Sequence, residues 1–141
     1  MHENLQQVEE FIREYARASK GENVAEMAAY FAPAFVAVGP MCAQAVRREE
    51  FAAALPRRKQ MFDSLGLMRT EMTGLEKTEM DVRHVLVRTR GRVTFARDGG
   101  DEALEVESLF LVERQPEGCA ILAYLPCQDI MALMKGRGWM G

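Results

Sequence analysis

Apolar residues recur at helical spacing through the first half of the chain and at alternate positions through most of the second, so a helical part precedes a strand-rich part. Leu5, Val8, Phe11, Ile12, Tyr15 and Ala16 form the apolar stripe of a first helix. Asn4 is its candidate cap, with Gln7 as reciprocal partner, and Lys20-Gly21 ends it. Asn23 and Glu26 repeat the capping pattern for a shorter helix carrying Val24, Met27, Ala28 and Phe31, and Pro33 stops it. Residues 35–38 read as a short strand closed by Gly39-Pro40. A third helical region spans about 47–65, with Phe51, Leu55, Phe62 and Leu65 on one face. Pro56 predicts a break in its middle, and Gly66 closes the helical half.

Four strands follow. Residues 67–78 are weakly patterned; 83–96, 103–114 and 119–125 alternate more strongly. Asp98-Gly99-Gly100-Asp101 and Gln115-Pro116-Glu117-Gly118 are the turns between the last three. Residues 129–135 predict a final short helix, with Asp129 as cap and Gly136 as stop. No repeat or linker divides the chain, so residues 1–141 are expected to form one α+β domain.

Pairing the strands fixes their faces. With Arg97 opposite Glu102, Phe95 meets Leu104, Val93 meets Val106, Gly91 meets Ser108, Thr89 meets Phe110 and Val87 meets Val112. These residues share one side, which is almost wholly apolar. The other side carries Arg88, Arg90, Arg92, Glu105 and Glu107, with Arg92 opposite Glu107 as an expected ion pair. Placing Arg114 opposite Cys119 brings Leu109, Leu111, Leu122 and Tyr124 together on that outer side. An apolar outward patch predicts a homodimer through these four residues. The alternative is that residues 130–139 fold back over the patch.

Composition narrows the functional classes. Of 141 residues, 48% are hydrophobic and 28% charged, as in ordinary globular proteins. The net charge of −3 predicts no general nucleic-acid footprint. No apolar run reaches membrane-spanning length, and residues 1–10 are polar and acidic, unlike a signal peptide. Cys42, Cys119 and Cys127 are odd in number and lack Cys-x-x-Cys spacing, so a reducing cytoplasm is expected. The two histidines, His2 and His84, offer no metal-ligand spacing, and no cofactor is expected.

The order of helices, short strand, broken helix and four-strand meander resembles the nuclear transport factor 2-like superfamily, which includes SnoaL-like cyclases and ketosteroid isomerases. The residues carrying the resemblance are Val8-Glu9-Glu10-Phe11-Ile12, the segment from Tyr30 to Val38, Arg48-Glu49-Glu50-Phe51, and the hairpin from Phe110 to Leu122. The resemblance implies a cone: a bent antiparallel sheet, helices across its concave face, a pocket at the wide end, and often a dimer. It also implies, for the isomerases, an Asp after the first short strand and an Asp with a Tyr inside the cone. Val36-Ala37-Val38-Gly39-Pro40 holds no acid, and the inner-face positions hold none either.

A pocket inside such a cone would be lined by Phe35, Val38, Met41, Val87, Phe110 and Ile121, with polar contacts from Tyr15, Tyr30, Thr89 and Ser108. Gly91 removes side-chain volume at its centre, and it also fits a bend in the strand. Met68 and Met72 are further candidates for an adaptable apolar wall. Two functions are expected from this pattern. One is a binding protein for a small apolar or aromatic molecule, without a catalytic set. The other is a cofactor-independent isomerase, cyclase or hydratase, which needs Glu71, Glu76, Glu79, Asp81 or His84 inside the cavity beside Tyr15.

Overall fold

Val8, Ile12 and Tyr15, one helical face of α1 (His2–Ala18), are buried against a sheet. The computed structural model describes residues 2–20, 23–39, 43–127 and 130–139, without the side chains of residues 2–4, 24 and 131. Gly21, Pro40, Met41, Cys42 and Asp129 therefore lie outside the described residues, and so do the turn, pocket, thiol and capping expectations placed on them. A 3-10 helix (Val24–Tyr30) follows α1 and leads directly into β1 (Phe31–Val38). Asn23 caps it without a side-chain hydrogen bond. α1 itself begins at His2, ahead of the expected cap Asn4.

β2 (Ala43–Arg47) pairs antiparallel with β1, a hairpin absent from the sequence expectations. α2 (Arg48–Ser64) then runs through Pro56 without the expected break. The proline forfeits one backbone hydrogen bond, but buried Leu55 and half-buried Phe51 and Phe62 hold the flanking turns. β3 (Leu67–Glu79), β4 (His84–Phe95), β5 (Glu102–Gln115) and β6 (Gly118–Pro126) form the antiparallel meander, and α3 (Ile130–Gly136) ends the chain. The sheet order is β2-β1-β6-β5-β4-β3. It is mixed rather than wholly antiparallel, because β1 lies parallel to β6. Pro33 sits where that pairing skips, between Phe31 and Val36, so its missing N–H costs no ladder bond.

The β4–β5 register places Phe95 opposite Glu102, Val93 opposite Leu104, Gly91 opposite Val106, Thr89 opposite Ser108 and Val87 opposite Phe110. This is two residues from the expected pairing. A two-residue slip preserves alternation, so the apolar inner face survives intact. Arg92 now meets Glu105 (2.9 Å) instead of Glu107, which pairs with Arg88 (3.0 Å) and Arg90 (3.4 Å). The β4–β5 ladder ends at Phe95 and Glu102, and on the opposite edge the Ala96 N–H donates to the Gly66 carbonyl (2.8 Å).

The core sits between α1 and the inner sheet face. Val8, Ile12, Val85, Val87, Val112 and Ile121 are fully buried, each contributing about 1.5–3 kcal/mol of burial. All three tyrosines and five phenylalanines form one connected cluster of rings, with Phe31 at its centre. Lys77 reaches from β3 to Glu9 on α1 (2.7 Å). Hydrogen bonds from Lys77 and Arg13 hold the Glu9 carboxyl below the usual carboxylate range. α3 lies at the other end of the concave face, where Met134 is fully buried among Val93, Phe95 and Leu104. The C-terminal segment thus packs inside the curve of the sheet and not over its outer patch.

Candidate functional site

A cavity of about 520 Å³ lies between the helices and the inner sheet face. That size suits a small organic ligand. Thr70, Met72, Thr89, Gly91, Ser108 and Phe110 of β3–β5 form one wall. Ile12 and Tyr15 of α1, Ser19 just after it, and Leu55, Arg58 and Phe62 of α2 form the opposite wall. Tyr124 and Pro126 of β6 and Ile130 of α3 complete it. Thr89 and Ser108 are direct cross-strand partners, so two hydroxyl-bearing residues stand side by side in an otherwise apolar wall.

Tyr15 is the central polar group. Its side chain is over nine-tenths buried, packed edge-on to Phe31 (5.6 Å), Phe110 (5.4 Å) and Tyr30 (5.9 Å). Among the described residues its hydroxyl has no hydrogen-bond partner. Burial pushes the hydroxyl far above its ordinary pKa, with Tyr124 raising it further and Arg58 opposing, so it is a neutral O–H donor at physiological pH. An unpaired donor beside a cavity is costly unless a guest or water accepts from it.

Of the residues expected to line a pocket, Tyr15, Thr89, Gly91, Ser108 and Phe110 border this cavity. Tyr30, Phe35 and Val38 do not. Tyr30 packs on Phe11 (5.4 Å), Phe35 is buried against Phe31 (4.4 Å) and Phe51 (5.3 Å), and Val38 pairs with Ala43 at the end of β1. The ring cluster fills the space that these three were expected to line. Val87 and Ile121 are core residues. Met72 borders the cavity, whereas Met68 is exposed.

Tyr124 moves the other way. A bulge in β6 sets Ile121 opposite Val112 but Ala123 opposite Leu111, so Leu122 is the extra residue and the alternation flips beyond it. Tyr124 leaves the expected outer patch and stacks on Phe110 (5.1 Å, 17° between planes) inside the cavity. On the convex side Leu125 takes its place opposite Leu109.

The candidate acid–base residues are engaged elsewhere. Glu76 pairs with Arg90 (2.7 Å), Glu79 with Arg114 (3.7 Å), and His84 with Asp81 (2.9 Å) and Glu113 (3.5 Å). Glu71 borders the cavity, but its carboxylate pairs with Arg69 (3.2 Å). Among the described residues no cluster of His, Cys, Asp or Glu could hold a metal ion. No helix among them is long and apolar enough to cross a membrane.

No family model matches the sequence, and no curated protein does. Solved structures match its shape. One is Aln2 from a Streptomyces species, 15% identical, covering 96% of this chain and 97% of that one, with a TM-score of 0.72. Another is an NTF2-like protein with a cystatin-like fold from Novosphingobium aromaticivorans, 12% identical over 99% and 90% of the two chains, with a TM-score of 0.73. The chain has the NTF2-like fold. An NTF2-like protein of unknown function from Shewanella oneidensis gives a TM-score of 0.70 at 12% identity, covering 87% of this chain and 98% of that one. Identities this low carry architecture alone, so any role for the NTF2-like cavity must be argued from its own residues.

Proposed function

We propose that the protein binds a small, largely apolar or aromatic molecule in its NTF2-like cavity, with the Tyr15 hydroxyl donating to an oxygen of the guest. The observation that carries this reading is the unpartnered hydroxyl of a buried tyrosine at a cavity of about 520 Å³. Phe110 and Tyr124, stacked on each other, present aromatic surface at the cavity, and Gly91 borders the same wall. The salt bridges of Glu71, Glu76 and Glu79, and the contacts of His84 with Asp81 and Glu113, favour binding over acid–base chemistry. Cys119 and Cys127 are free thiols, which suits a reducing, cytoplasmic setting.

The test is a panel of uncharged aromatic ketones and phenols followed by melting temperature. A ligand present at 100 times its Kd is expected to stabilise the fold by about 2.7 kcal/mol. Tyr15→Phe is expected to weaken ketone binding about tenfold while leaving the fold intact. A panel in which no compound shifts the melting temperature would remove the reading.

We also propose that the convex face packs on a second copy of the chain. Leu86, Leu111, Ala123 and Val36 lie in register across four strands of that face, with Leu109 and Leu125 alongside. Val36 is 41% exposed, and the leucines keep partial exposure. A two-fold axis through the band would bury like against like and close the assembly at two copies. Light scattering is expected to give a dimer mass, and Leu109→Glu with Leu111→Glu a folded monomer. A native mass of one chain at micromolar concentration would rule the dimer out.

A further inference from the structure

The face of α2 that meets the cavity runs Leu55, Arg58, Lys59, Phe62, the spacing of a core-facing stripe. Leu55 is buried and Phe62 half-buried, as such a stripe requires. Arg58 and Lys59 break it with two cations. Lys20, at the end of α1, adds a third to the cavity border. This local excess runs against a chain whose net charge is −3.

The pairing of these cations is incomplete. Lys59 has an ion pair, to Asp63 at 2.8 Å. Among the described residues Arg58 has no carboxylate partner; its guanidinium lies 5.6 Å from the Phe62 ring centre. The acids that border the cavity, Glu71 and Glu107, are occupied by Arg69 and by Arg88 with Arg90. Arg58 is also close enough to Tyr15 to act on its hydroxyl electrostatically. An unpaired guanidinium and an unpaired hydroxyl thus border the same apolar cavity.

Resting on the binding reading above, we propose that the guest is an amphipathic acid: a ring-bearing apolar body with one carboxylate, held by Arg58 with Lys59 and Lys20 at the mouth. The body lies against Phe110 and Tyr124, and the Tyr15 O–H donates to a carboxylate oxygen or to a second oxygen on the body. Arg58 presents a planar fork that matches a carboxylate in two parallel hydrogen bonds.

The test is a matched pair of fluorescent probes, anthracene-2-carboxylate and the neutral anthracene-2-carboxamide, titrated into the intact protein. The carboxylate is expected to bind about tenfold more tightly than the amide, and the preference is expected to shrink as salt rises. In Arg58→Gln/Lys59→Gln the ratio of the two affinities is expected to fall to about one. Arg57→Gln, on an exposed neighbouring position outside the cavity border, is expected to keep the ratio. Equal binding of both probes to the native protein would overturn the acid proposal and leave the apolar pocket standing. Binding of neither would overturn both.

Discussion

Phe31→Ala is expected to remove about 3–5 kcal/mol of stability, a large part of what a domain of this size possesses. Phe31 is 1% exposed and lies at the first residue of β1. Its ring meets those of Tyr15 (5.6 Å), Phe35 (4.4 Å), Phe51 (4.8 Å) and Tyr124 (6.4 Å). One side chain therefore ties α1, β1, α2 and β6 together, and its removal leaves a void bordered by parts that cannot all close on it. Urea denaturation would show the midpoint fall with little change in slope. Phe31→Leu, which keeps most of the volume, is expected to cost well under half as much. A loss below about 1 kcal/mol for the alanine variant would mean that the ring cluster does not hold these elements together.

Gly91→Ala is expected to cost about 1–3 kcal/mol although it adds only a methyl group. A Cβ at this position would stand 2.9 Å from the Glu71 carbonyl oxygen. That oxygen belongs to the β3 backbone, near the bulge between Met72 and Gly74. Backbone of a paired strand cannot swing aside as a side chain can, so β3 and β4 must separate or lose their curvature. Thermal unfolding is the measure, with a drop of several degrees expected. Gly74→Ala is the control: its nearest neighbour would be the Arg90 side chain at an ordinary 3.6 Å. Equal stability of the two variants would show that the close approach at Gly91 is not a constraint. The same glycine borders the cavity wall.

Face assignment was legible because alternation is insensitive to slips of two. The pairing of Phe95 with Leu104 was wrong by two residues, yet Val87, Thr89, Gly91, Val93, Ser108 and Phe110 still fell on one side. The ion-pair partners were not legible, since they depend on where the turn closes, and alternation does not fix that point. β2 was missed because Ala43 to Arg47 is short and mostly exposed, with too little apolar alternation to mark a strand. The parallel contact of β1 with β6 leaves no local trace at all, being a fact of tertiary arrangement.

The site divides in the same way. Tyr15, Thr89, Gly91, Ser108 and Phe110 follow from periodicity, and they border the cavity. Tyr124 does not, because one unpaired residue at Leu122 reverses every face beyond it and no turn residue announces the bulge. Arg58 and Lys59 escape a sequence reading in which Pro56 points to a broken helix. Carrying the stripe from Leu55 to Phe62 through the proline would have found two cations where apolar residues belong.

The parallel seam between β1 and β6 has a consequence for how the chain is made. Phe31 and Ile121 are partners about ninety residues apart, whereas each hairpin of the meander joins immediate neighbours in the chain. Closing so long a loop is repaid only when β6 is in place, so the early-synthesised third must wait for the last strand to leave the ribosome. During that interval Phe31 and Phe35 have no sheet to cover them, and this stretch is where a holding chaperone would find its grip.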